Sequence, residues 1–123
     1  MTIILHLTTH SAWEQAQAAG TYRGDTLDTQ GFIHCSTVYQ IERVANRFFH
    51  GQNGLALLCV DTDKVQSQVI FEQPINPDTG EAEPDSDQFP HIYGPLNLDA
   101  VVRVVDFPPS ADGTFALPKE LQS

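Results

Sequence analysis

The alternation of apolar and polar positions opens the chain. In MTIILHLT, residues 1–8, a period of two places Ile3, Leu5 and Leu7 on one face and Ile4, His6 and Thr8 on the other. That pattern predicts a first β-strand. The period lengthens in SAWEQAQAAG, residues 11–20, where Ser11 and Glu14 have capping-box spacing and Gly20 offers a left-handed stop. A short helix follows from it, with Trp13 and Ala16 facing inward. Residues 21–30, TYRGDTLDTQ, hold turn formers and scattered polar groups, which predicts an exposed loop.

GFIHCST, residues 31–37, reads as a second strand leaving a turn. Thr37 and Gln40 repeat the capping-box spacing, and Val38, Ile41, Val44, Ala45 and Phe48 recur at helical period up to Gly51. LALLCV, residues 55–60, is a continuous apolar run of strand length, as expected of a central strand buried on both faces. QVIFE at 68–72, HIYGPL at 91–96 and AVVRVVDF at 100–107 are further strand candidates, the second ending in a turn at Gly94-Pro95. Residues 73–90 carry four prolines and five acids and are expected to form a long mobile loop. The tail from residue 108 should wrap the surface and fray. Two early helices followed by strands imply an α+β fold, and no internal repeat is visible.

Length and charge narrow the partners. The 123 residues, 41% of them hydrophobic, suit one domain over residues 1–123, with a core at about 3–107 and a tail at 108–123. Sixteen acidic residues against six basic ones give a net charge of -10, which leaves phosphate backbones and anionic lipids little to hold. No nucleic-acid or membrane partner is expected. Residues 1–8 are too short for a signal peptide and no apolar run reaches the ~20 residues of a membrane helix, so a cytoplasmic protein is expected. Cys35 and Cys59 lie in apolar runs without metal-ligand spacing and read as small buried hydrophobes.

Candidate chemistry gathers on the histidines. Strand geometry sends Cys35 and His34 to opposite faces, which argues against a nucleophilic Cys/His pair. The same geometry gives His6 and Thr8 one face, and His34 and Ser36 another. Two strands therefore each carry H-x-[S/T], and as sheet neighbours they would line one cleft with imidazole and hydroxyl groups for a polar ligand. His91 and Tyr93 in FPHIYGPL would share a face beside the rigid Gly94-Pro95 turn, and Glu72 ends its strand where a carboxylate can reach a cleft. The five histidines lack zinc spacing, the acids lack EF-hand spacing, and no glycine-rich phosphate loop is present, so no metal is expected.

ILHLT, SAWEQAQAAGTY, GFIHCST and FPHIYGPLNLDAVV together resemble the small bacterial family numbered 952 among the domains of unknown function, from Ile3 to about Phe107. That family is grouped with the ADP-ribosyltransferase-like fold. The resemblance implies a mixed, split β-sheet with two N-terminal helices, gripping a nicotinamide dinucleotide in its cleft. NAD is then a substrate, with no firm cofactor. It implies cofactor-binding roles for His6, Thr8, Tyr22, Arg23, Ser36, Tyr93 and Gly94. Catalytic roles fall to Glu72, His34 and His91, with Glu72 steadying the ribosyl cation formed as nicotinamide leaves. The leading expectation is an NAD-dependent ADP-ribosyl transferase or hydrolase. The alternatives are a non-catalytic module binding a nucleotide or small metabolite on the same fold, and an interaction protein docking a basic partner through its acidic loop.

Overall fold

A computed structural model describes residues 2–24, 26–73 and 88–121. Eight strands form: β1 (Ile3–Thr9), β2 (Thr21–Tyr22), β3 (Ile33–His34), β4 (Leu55–Asp61), β5 (Gln68–Glu72), β6 (Phe89–Tyr93), β7 (Leu96–Asn97) and β8 (Val101–Asp106). Three α-helices accompany them, α1 (His10–Ala19), α2 (Leu27–Gln30) and α3 (Ile41–Phe48). The strands make sheets of order β1-β4-β8, β2-β7 and β3-β6-β5. Every ladder among the described residues is antiparallel, so the expected mixed sheet is corrected to an antiparallel one. The α+β class and the division of the sheet both hold. None of the described helices is long and apolar enough to cross a membrane.

β4 is the keel. All seven of its residues are buried, as the unbroken apolar run predicts, with β1 on one side and β8 on the other. Leu58 and Val60 enter one core with Ile4, Ala16 of α1, and Ile33 and Ile92 of the third sheet. Leu57 and Cys59 point the other way, into a second core with Leu5, Ile41 and Ala45 of α3, Phe107 and Phe115. Strand alternation thus separates two apolar layers across one sheet. The third sheet is stitched to the first where Leu5 and Ser36 exchange backbone hydrogen bonds, each of 2.7 Å.

Several expected boundaries shift for local reasons. The cap of α1 lies two residues before the predicted Ser11, because the Thr9 hydroxyl already accepts from Ala12 N–H at 3.0 Å. Gly20 ends it in the left-handed conformation at φ 84°, as its position foretells. Thr37 N–H does donate to Gln40 Oε1 at 3.0 Å, the reciprocal half of the expected box, but regular helix starts only at Ile41. Phe48 is 66% exposed with the Arg47 guanidinium 5.0 Å from its ring centroid, while its neighbour Phe49 packs against the second core. The stretch expected as loop holds β2 and α2, and Tyr22 is buried there by pairing with β7. The tail is anchored rather than frayed at Phe115, which is 2% exposed.

Both cysteines are free and buried, in different cores. Burial pushes the Cys35 thiol far above its ordinary range. It also raises Cys59, against the opposing pull of Arg103. The expected acidic loop falls mostly at 74–87, outside the described residues.

Candidate functional site

His6 leaves β1 on the face shared with Ile4 and Thr8, toward α1 and β2. Its Nδ1 donates to the His34 carbonyl at 2.6 Å, a bond made possible by the Leu5–Ser36 stitch one residue away. Its Nε2 lies 2.6 Å from the Tyr22 hydroxyl, which lies 2.9 Å from Thr8 Oγ1. The imidazole and phenol rings meet edge-on, 5.0 Å between centroids. These groups edge a cleft of about 550 Å³ whose lining includes His6, Thr8, Tyr22 and Arg23 and the small face of α1 at Ala12, Ala16 and Ala19. Its size and mixed walls suit a small ligand with one apolar and one hydrogen-bonding side. The Arg23 guanidinium, half exposed, is paired to Asp28 at 2.6 Å.

A second polar cluster occupies the third sheet, on the face away from the core. Register brings His34 opposite His91, and Ile70 opposite His91 from the other side. The rings of His34 and His91 meet edge-on at 5.2 Å, and Phe32 stacks on His91 at 4.2 Å. His91, 2% exposed, donates from Nδ1 to Glu72 Oε1 at 2.7 Å, and the Tyr93 hydroxyl donates to the same oxygen. His34 Nε2 lies 2.7 Å from Gln30 Oε1.

Electrostatics in this cluster follow from those bonds. The Tyr93 hydroxyl is the main reason the Glu72 carboxyl is held below its ordinary value; partial burial opposes it, and the His91 bond and charge add to it. Burial, then the hydrogen bond and charge of Glu72, push the Tyr93 phenol up to about 12. Glu72 is therefore a carboxylate at neutral pH with two donors on one oxygen. A depressed carboxyl contributes stability above its ordinary value of 4.5 and loses it as pH falls through the lower folded value. Tyr93→Phe removes the main cause. The expected result is a drop in melting temperature at pH 7 that shrinks toward zero by pH 3; an equal drop at both pH values would show that Tyr93 acts through packing alone.

The structure therefore divides the residues singled out in the sequence. His6, Thr8, Tyr22 and Arg23 share the cleft. Glu72, His34, His91 and Tyr93 come together, but in the second cluster. The expected pairing of the His6 and His34 side chains across one cleft is corrected: His34 meets His6 through its carbonyl and turns its ring to His91. Ser36 is buried at the stitch between sheets. Gly94 is a backbone feature at φ 153° packed against Ser67. Phe32 and Gln30 were missed, although period two places Phe32 on the face of His34. Among the described residues no group of three or more His, Cys, Asp or Glu is placed to hold a metal ion.

Fold and cleft define a small antiparallel α+β protein with a cleft of mixed polar and apolar walls beside its first strand and first helix. The chain belongs to the family described as Protein of unknown function (DUF952), whose model matches residues 7–104. It is similar to protein CC0527 from Caulobacter crescentus. A crystal structure of that protein shares 30% identity at a TM-score of 0.80 over 98% of each chain, as does that of a double mutant. Its solution NMR structure gives 33% identity and a TM-score of 0.77, over 98% of this chain and 97% of that one. No curated protein matches.

Proposed function

We propose that this protein is an ADP-ribosyltransferase-like, cytoplasmic nucleotide-binding protein that takes NAD or a related ribosyl nucleotide into the His6 cleft. The observation that carries this is the convergence of His6, Thr8, Tyr22 and Arg23 on one cleft from β1, β2 and the turn after β2. Hydroxyl groups oriented by the His6 imidazole suit ribose, a guanidinium suits phosphate, and the alanine face of α1 suits a base. Such a ligand needs no bound cofactor, and the acidic surface makes nucleic acid an unsuitable one.

Two modes of use differ in the part played by Glu72. As a transferase or hydrolase the protein would bring the Glu72 carboxylate to the ribosyl cation, with His34 and His91 beside it. As a binding module it would leave that cluster as a support. Among the described residues the cluster meets the cleft at His34, whose carbonyl holds His6 while its ring turns to His91, and this favours the binding module.

Calorimetric titration with NAD and ADP-ribose tests the reading. Arg23→Ala, at an exposed position, is expected to weaken binding about ten- to a hundredfold with the melting temperature unchanged, since a charge-assisted bond is worth about 1.5–3 kcal/mol. His6→Ala should abolish binding. Absence of binding by the wild-type chain at millimolar nucleotide would overturn the proposal. Turnover of NAD that Glu72→Gln abolishes while binding persists would instead establish the enzyme.

A further inference from the structure

The hydrogen bonds of His6 have a direction, and it is set from the inside. A backbone carbonyl only accepts, so the 2.6 Å bond to His34 places a proton on His6 Nδ1. In the neutral ring Nε2 then holds a lone pair and takes the Tyr22 O–H at 2.6 Å. The Tyr22 O–H points to Thr8 Oγ1, 2.9 Å away, and when it rotates to Nε2 the Tyr22 oxygen is left to accept from Thr8, which turns Thr8 lone pairs toward the cleft. When both ring nitrogens carry protons the Nδ1 bond to the His34 carbonyl keeps its direction while the two outer bonds reverse: Nε2 donates to Tyr22, and Tyr22 donates to Thr8.

We propose that Thr8, Tyr22 and His6 form a proton relay that accepts the proton of a hydroxyl group on the ligand in the cleft. The identity of the ligand rests on the nucleotide reading above, but the relay does not. In the step, the ligand O–H bond breaks and its proton joins Thr8 Oγ1. The Thr8 proton passes to Tyr22 Oη, and the Tyr22 proton passes to His6 Nε2. One N–H bond has formed, the imidazole has become a cation, both protein hydroxyls are neutral again, and the ligand keeps the electron pair as an alkoxide. No oxidant or further reactant is needed.

Three features fit this role. Burial of His6 and Tyr22, 8% and 4% exposed, keeps bulk water from short-circuiting the inner links. Thr8, half-buried on the cleft wall, is the outer contact with the ligand. The His34 carbonyl steadies the N–H on the far side of the ring as charge arrives, the part a backing acceptor plays for a general base. Tyr22 and His6 act through Thr8 and are positioning and relaying residues.

NMR of the full chain with ¹⁵N-labelled histidine tests the relay without any ligand. The expected result is a neutral His6 ring protonated at Nδ1, and a low-field Tyr22 hydroxyl proton that exchanges with water through Thr8. Thr8→Val should slow that exchange by about tenfold or more, and Thr8→Ser should restore it. A ring protonated only at Nε2, or an exchange rate that Thr8→Val leaves unchanged, would overturn the relay. Saturating ADP-ribose should also slow the exchange in the wild type. Slow exchange in Thr8→Val with no effect of ADP-ribose would keep the relay and reject the nucleotide.

Discussion

Phe115→Ala is expected to cost about 3–5 kcal/mol in urea unfolding, the range for truncating a fully buried phenylalanine. The residue lies in a polar tail, yet its ring is 2% exposed and sits 4.9 Å from the ring of Phe107, itself 1% exposed. Asn46 of α3 holds the same residue by both backbone groups, donating to the Phe115 carbonyl at 3.0 Å and accepting its N–H at 2.7 Å. The side-chain amide thus does for the tail what a neighbouring strand would do. Truncating the ring opens a cavity between Phe107 and α3 that this tether prevents from collapsing, which places the cost toward the upper part of the range. A loss below about 1 kcal/mol would mean that the tail merely covers the second core.

Gly94→Ala is the other large effect. Gly94 has φ 153°, outside the conformations that residues with a side chain ordinarily adopt, and an added Cβ would lie 2.5 Å from Ser67 Oγ and 3.0 Å from Ser67 Cβ. Backbone strain and overpacking each cost about 1–3 kcal/mol. The Ser67 hydroxyl, which donates to the Pro95 carbonyl at 2.7 Å, must also give way. Ser67→Gly in the Gly94→Ala background removes both close contacts and should recover the overpacking share while leaving the strain. Thermal melts of the two single variants and the double variant separate the shares. A Gly94→Ala protein as stable as the wild type would show that the turn relaxes freely. If the cleft takes the proposed nucleotide, its affinity measured well below the melting transition should not change, because Gly94 acts on the turn and does not line the cleft.

What could be read in the sequence was whatever a local pattern carries. The apolar run 55–60 announces a strand buried on both faces, Gly20 a helix end, and H-x-T in the first strand a polar face, and each is found in place. Contributions made by the backbone were out of reach. His34 supports His6 through its carbonyl, and every residue type has one, so no motif could assign that role. Tyr22 was named through the resemblance, but its burial was hidden by its polar neighbours, since that burial comes from pairing with β7 more than seventy residues later in the chain. Phe48 and Phe49 are adjacent, and helical period alone could not decide which turned inward; the end of α3 at Phe48 leaves the second to the core. Strand direction also depends on distant pairing, and the mixed sheet implied by resemblance gave way to antiparallel ladders.

The place of β4 between β1 and β8 has a consequence during synthesis. The strand that completes one side of the keel precedes β4 in the chain, and the one that completes the other follows it by about forty residues. Until β8 has been made, β4 can pair with β1 but offers a bare hydrogen-bonding edge on its other side. Such an edge is what chaperones shield and what aggregation exploits. A chain cut short before Val101 would keep that edge bare, whereas one cut before Phe115 keeps β8 and loses the ring that packs against Phe107.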